Sequence, residues 1–172
     1  MYHNGKFKAW CQVVQSSAIL KNQLDIANGI IGKRSGQPVS QGYINRLING
    51  TINITDHHVS QICYNFPFTN IDFFLGNEYM FKFQDLLKYL LKKHGLTQKE
   101  VAKAIGIDSP VISKMDDATD VKEWDKVFSY FNENHGYAIN IDYTVKKSVD
   151  IGSVIANRAK HISDQVTRMF TF

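Results

Sequence analysis

Residues 97–115, TQKEVAKAIGIDSPVISKM, limit the folds open to this chain more than any other stretch. Thr97 followed three positions later by Glu100 is a capping box, in which each side chain accepts a backbone N–H that the first helical turn leaves unpaired. Val101, Ala102 and Ile105 then recur at the spacing of one buried helical face. Gly106 ends the run where a left-handed residue is expected, and Ile107 plugs the turn. Asp108 is placed to cap the next helix, with Pro110 in its first turn, where a missing N–H does no harm. Small Ala102 on one helix and apolar Ile112 on the next let the two cross closely, which predicts a helix-turn-helix. A bundle of amphipathic helices, with Gly106 only a cap, is the plainer alternative.

Just upstream, FKFQDLLKYLLKKH (81–94) sets Phe83, Leu86, Leu87, Leu90 and Leu91 on one helical face, and Gly95 is a natural stop. Thr97-Gln98, Val101-Ala102, Ile105-Gly106-Ile107 and Ile112-Ser113 together resemble the lambda-repressor-like (Xre/Cro) helix-turn-helix family, over residues 83–115. The resemblance implies an all-α fold and double-stranded DNA as partner.

A second copy lies earlier in the chain. NQLDIANGII (22–31) runs parallel to TQKEVAKAIG at an offset of 75, with Asn22 at the cap and Ile26-Ala27 matching Val101-Ala102. VSQGYINRLING (39–50) matches the later helix at an offset of 68, with Ser40 at the cap and Ile44 at the buried position. The difference is a seven-residue insertion, GKRSGQP (32–38), whose glycines, proline and basic pair predict an exposed loop. Phe7, Trp10, Cys11 and Val14 supply a helix before it. After it, Val59, Ile62, Cys63 and Phe66 form a helical face ended by Pro67, and Phe73, Phe74 and Leu75 are expected inward on a short fifth helix. The organisation expected is therefore two tandem lambda-repressor-like units, 1–79 and 80–143, followed by an amphipathic helix in 144–172.

The candidate DNA contacts follow from what duplex recognition needs: cations or N–H donors for phosphates, and amide or guanidinium groups for base edges. In the first unit, Ser40, Gln41, Tyr43, Asn45 and Arg46 belong to the expected recognition helix. Gln23, Lys33, Arg34, Asn49 and Thr51 are expected at the phosphate backbone. In the family, a pair such as Asn49-Gly50 implies backbone N–H groups presented to phosphates. The second unit has Asp116-Asp117 there instead, and carboxylates repel phosphate. Its own candidates, Gln98, Lys99, Ser109, Val111, Ser113 and Lys114, therefore form either a weaker DNA surface or a surface for a protein partner.

Charge distribution agrees. The chain of 172 residues carries a net +4, split as +2 in 1–79, −1 in 80–143 and +3 in 144–172, so a polyanion is expected at the ends. The apolar fraction, 44%, argues for folded rather than disordered chain. No apolar run approaches the roughly 20 residues of a membrane span, and MYHNGKFKAWCQ lacks a signal-peptide core, so a cytoplasmic protein without membrane association is expected. Cys11 and Cys63 fall in apolar-periodic stretches and are expected as reduced core thiols.

Further on, residues 118–131 predict a helix capped by Thr119, with Val121, Trp124, Val127, Phe128 and Phe131 inward. Alternation of Tyr137, Ile139, Ile141 and Tyr143 suggests one short strand. Ile151, Val154, Ile155, Ala159, Ile162, Val166 and Met169 mark the C-terminal helix, which could cover the core or contact a second copy. No nucleotide-binding glycine loop, HExxH or paired CxxC occurs, and His57-His58 read as a surface pair rather than metal ligands. No catalysis, cofactor or metal is expected. The expected protein is a DNA-binding regulator, a repressor acting as a homodimer. A protein partner, met through the second unit or the C-terminal helix, is the competing reading.

Overall fold

The computed structural model describes residues 2–77, 79–116 and 119–141. Among these residues the protein is all-helical, with eight α-helices and one 3-10 helix. The first half holds α1 (Asn4–Ser16), α2 (Gln23–Asn28), α3 (Gln41–Ile48), α4 (Asp56–Asn65) and the 3-10 helix Ile71–Leu75. The second holds α5 (Phe83–His94), α6 (Gln98–Ile105), α7 (Ser109–Ser113) and α8 (Val121–His135).

The caps form largely as the side chains dictate. Asn22 Oδ1 accepts the Asp25 N–H at 3.1 Å, starting α2. Thr97 and Glu100 make the full capping box of α6, at 3.2 and 2.7 Å. Gly95 and Gly106 end α5 and α6 in the left-handed region, at φ 63° and 76°. Asp108 occupies the cap of α7 without a side-chain bond, Pro110 lying in that first turn.

Equivalent offsets bury equivalent residues. Ile26 and Val101, Ala27 and Ala102, and Ile44 and Ile112 are all inaccessible or nearly so. On α1 and α5, Phe7 with Leu87 and Trp10 with Leu90, each pair 80 apart, are also fully buried. Each of these first helices sends one amide to the end of the third. Asn4 Nδ2 donates to the Leu47 and Ile52 carbonyls, both at 2.7 Å. Gln84 Nε2 donates to the Ile112 and Met115 carbonyls at 2.6 and 2.7 Å.

Several expectations are corrected. The 118–131 helix begins at Val121, is capped by Asp120 rather than Thr119, and runs to His135 before Gly136. Thr119 Oγ1 instead accepts the Asp116 N–H, while the Asp116 carbonyl accepts Trp124 Nε1, so this turn anchors α8. Leu75 is 57% exposed, because the 3-10 helix turns only Phe73 and Phe74 inward. The alternating segment forms no strand among the described residues. Asn132 bonds both the N–H and the carbonyl of Ile139 at 2.9 Å, taking the place of a partner strand, and Tyr137, Ile139 and Ile141 are buried. Tyr143 and the C-terminal helix expected in 144–172 lie outside the described residues.

The buried residues of both halves join in one apolar cluster. The connection folds back on the end of the first half, with Lys82 N–H on the Phe68 carbonyl at 2.7 Å and Asn70 N–H on that of Met80 at 2.9 Å. Phe68 meets Phe81 and Tyr89 edge-on at 5.5 and 4.9 Å. Both thiols are free, and burial pushes Cys63 up to about 11 and raises Cys11 further, so both are protonated at neutral pH.

Candidate nucleic-acid interface

The third helix of the first half is held from beneath and bare on top. Ser40 Oγ accepts the Tyr43 N–H at 3.1 Å and starts α3, while Ile44 and Leu47 are fully buried on its underside. Gln41, Asn45 and Arg46 are exposed. The side chains of Gln41 and Asn45 make no hydrogen bond among the described residues; Arg46 lies over the Tyr43 ring, 5.9 Å from its centroid. Gln41 and Asn45, one turn apart, share a face. Exposed amides and a guanidinium are the groups that read base edges bidentately in a major groove.

Other expected contacts are already occupied within the fold. Tyr43 is half-buried and its hydroxyl meets His58 Nε2 at 2.8 Å. Asn49 Oδ1 accepts both the Thr51 N–H and the Thr51 hydroxyl, at 3.0 and 2.6 Å. Asn49 N–H and Ile52 N–H go to the Asn45 and Arg46 carbonyls. Of the N–H groups of residues 49–52, that of Gly50 alone stays open among the described residues, and Gly50 sits at φ 82°, where a glycine is favoured. Gln23 is half-buried at the start of α2, and Lys33 and Arg34 are exposed on the inserted loop.

That loop is ordered by its own backbone. Ile31 bridges Pro38, Gly32 N–H reaches the Gln37 carbonyl at 2.8 Å, and Val39 N–H that of Ile30 at 2.9 Å. Sequence reasoning missed the two histidines beneath it. They are not a surface pair: His58 is 6% exposed and His57 half-buried. His57 Nε2 donates to the Ile31 carbonyl at 2.6 Å, tying α4 to the loop. His58 Nδ1 accepts the Thr55 N–H at 3.0 Å, capping α4. The only local sign was position: His58 stands three residues after Thr55, where a capping box ordinarily carries Glu or Gln. Burial, then the neighbouring His57, lower the His58 pKa.

The second half presents a poorer surface. Its α7 has five residues against eight in α3. Gln98 Nε2 is spent inside the motif, on the Ser109 carbonyl at 2.9 Å and on the Ser109 and Ser113 hydroxyls. Val111 is 49% exposed, and Lys99, Ser113 and Lys114 are exposed beside it.

With this geometry in view, comparison with known proteins locates the motif. Residues 87–115 match the family model described as Helix-turn-helix. This span runs from within α5 through α7, and it supports a DNA-binding helix-turn-helix regulator in general. No curated protein and no solved structure matches the chain. Among the described residues no helix is long and apolar enough to cross a membrane, and no group of three or more His, Cys, Asp and Glu side chains is placed to hold a metal.

Proposed function

We propose that this protein is a sequence-specific regulator of double-stranded DNA, reading the major groove mainly with α3 of a first helix-turn-helix unit at 1–79, while 80–143 forms a second unit. One observation carries the reading: the exposed amides of Gln41 and Asn45, unbonded among the described residues, stand beside Arg46 on a helix anchored by Ile44 and Leu47. Matching buried positions at offsets of 75 and 68, and the matching amide clamps from Asn4 and Gln84, support the tandem arrangement. Lys33, Arg34 and the Gly50 N–H would take phosphates. Repression follows when such binding occludes a promoter, and a homodimer would place two α3 helices about 34 Å apart on one face of the duplex.

The second unit supplies less. Its short α7, the internally engaged Gln98 and the exposed Val111 favour a protein-facing role for that surface. Selection from a random duplex library at two salt concentrations tests the proposal, with wild type beside Gln41→Ala/Arg46→Ala. An enriched site lost in the double variant is the expected result, with a discrimination loss of about 1–3 kcal/mol per bidentate contact. Salt-governed binding without enrichment in either protein, alongside a stoichiometric protein complex, would select the interaction-module reading.

A further inference from the structure

Beside α3, a cleft of about 570 Å³ opens between the inserted loop, the turn after α3 and the start of α4. Small-molecule sites run from roughly 300 to 1,000 Å³, mostly apolar with a few oriented polar groups. Ile30, Ile31, Val39 and Ile52 supply the apolar wall. The wall is preformed, because its loop is closed by the backbone bonds from Gly32 to Gln37, Gly36 to Gly32 and Val39 to Ile30.

The charged side chains that line it share one sign. Among the described residues no carboxylate lines the cleft, whereas Lys33 and Arg34 do, and neither of these has an ion-pair partner there. Tyr43 adds a donor. The Thr55 N–H can only donate, so His58 Nδ1 accepts, and the neutral ring carries its proton on Nε2. Nε2 therefore donates to the Tyr43 oxygen, leaving the Tyr43 O–H proton without a partner among the described residues. An apolar hollow faced by two unpaired cations and one spare hydroxyl donor fits an acceptor-bearing anion.

We propose that this cleft binds a small organic carboxylate with an apolar body. The apolar part packs against Ile30, Val39 and Ile52, and the head is met by Lys33, Arg34 and the Tyr43 hydroxyl. Occupancy then takes two cations from the phosphate backbone and engages Tyr43 within α3, so the ligand weakens duplex binding; this coupling rests on the DNA-reading role proposed above.

The test is a ¹⁵N amide titration of the full chain with octanoate, without DNA, with 1-octanol as the uncharged control. Saturable shifts at Gly32, Val39, Tyr43, Ile52 and His57 are expected, with octanol binding more weakly. Lys33→Gln/Arg34→Gln should bind octanoate about tenfold less tightly. Ile52→Trp should fill the cleft and abolish the shifts, with Val39→Phe as the second filling variant should the first fail to fold. Non-saturating shifts, shifts centred elsewhere, or unchanged affinity in the charge variant would overturn the cleft assignment whatever the duplex selection gives. Octanoate bound with unchanged affinity for a selected duplex site would overturn the coupling alone. Failure to select any duplex site would sink the DNA-reading role and leave the ligand measurement standing.

Discussion

His58 joins two parts of the first half through its ring nitrogens, the start of α4 by the Thr55 N–H and α3 by the Tyr43 hydroxyl, and is itself buried. Protonation would put a hydrogen on Nδ1 and eject the Thr55 N–H. The His58 pKa lies below the ordinary 6.5, through burial first and the adjacent His57 second. The unfolded chain therefore binds more protons across that interval. The stabilisation is full above 6.5 and is lost as pH falls from there through the depressed folded value. Thermal melts stepped from pH 8 to about 5 should show the melting temperature dropping below about 6.5. His94, also lowered by burial, then by His135 and Lys93, acts in the same direction, so His58→Ala should flatten the dependence only in part. The same variant should lose about 1–3 kcal/mol at pH 8 in urea unfolding, from the missing cap and the orphaned Tyr43. A melting temperature that stays level down to pH 5 in wild type would refute this account of the histidine.

At the scale of elements, the ends of α2 and α6 solve one problem differently. Gly106 ends α6 at φ 76° with open space where a Cβ would stand, so only backbone strain opposes a side chain there. Gly29 ends α2 at an ordinary φ of −89°, but a Cβ would lie 2.3 Å from the Phe66 ring. Gly106→Ala should cost about 1–2 kcal/mol, and Gly106→Asn less, since asparagine tolerates the left-handed region. Gly29→Ala should cost about 1–3 kcal/mol through overpacking, and Gly29→Asn more than that. Urea midpoints of the four variants check the contrast; asparagine rescuing Gly29 would contradict it. The difference follows the insertion: a tight left-handed turn links α6 to α7, whereas α2 hands over to a loop that carries its own bonds. Of the ten contacts expected in the first half, the structure leaves Gln41, Asn45, Arg46, Lys33 and Arg34 exposed, half-buries Gln23, and bonds Ser40, Tyr43, Asn49 and Thr51 into caps, turns and the α4 junction.

Over the whole molecule, the two halves share a core rather than meeting at a wet interface. Phe68 reaches Phe81 and Tyr89, and the Ala138 N–H returns to the Ser17 carbonyl at 2.9 Å. Continuous burial of this kind favours a single cooperative transition. Trp10 and Trp124 are fully buried, one in each half, and make the expectation measurable. In Trp10→Phe, the fluorescence of Trp124 and the far-UV circular dichroism should lose structure at the same urea concentration. Separate midpoints would mean that the halves unfold independently.

Local chemistry was enough to place several of the helices. Capping boxes, left-handed glycines and three-and-four apolar spacing act within a turn or two of the chain, so α1, α5 and α6, the buried Ile44 and Ile112, and the end of α5 at Gly95 could all be anticipated from neighbouring residues. What distant residues do to one another could not be anticipated. That Tyr43 faces His58, fifteen positions on, that Asn4 and Gln84 clamp the third helices, and that Asn132 replaces a strand for Ile139 all depend on where helices cross. A polar side chain exposed by pattern has the same hydrogen-bonding capacity whether its partner is water, a base or a carbonyl forty residues away. Only the packed tertiary structure decides among them, because buried donors and acceptors must be paired by whatever the fold brings within reach.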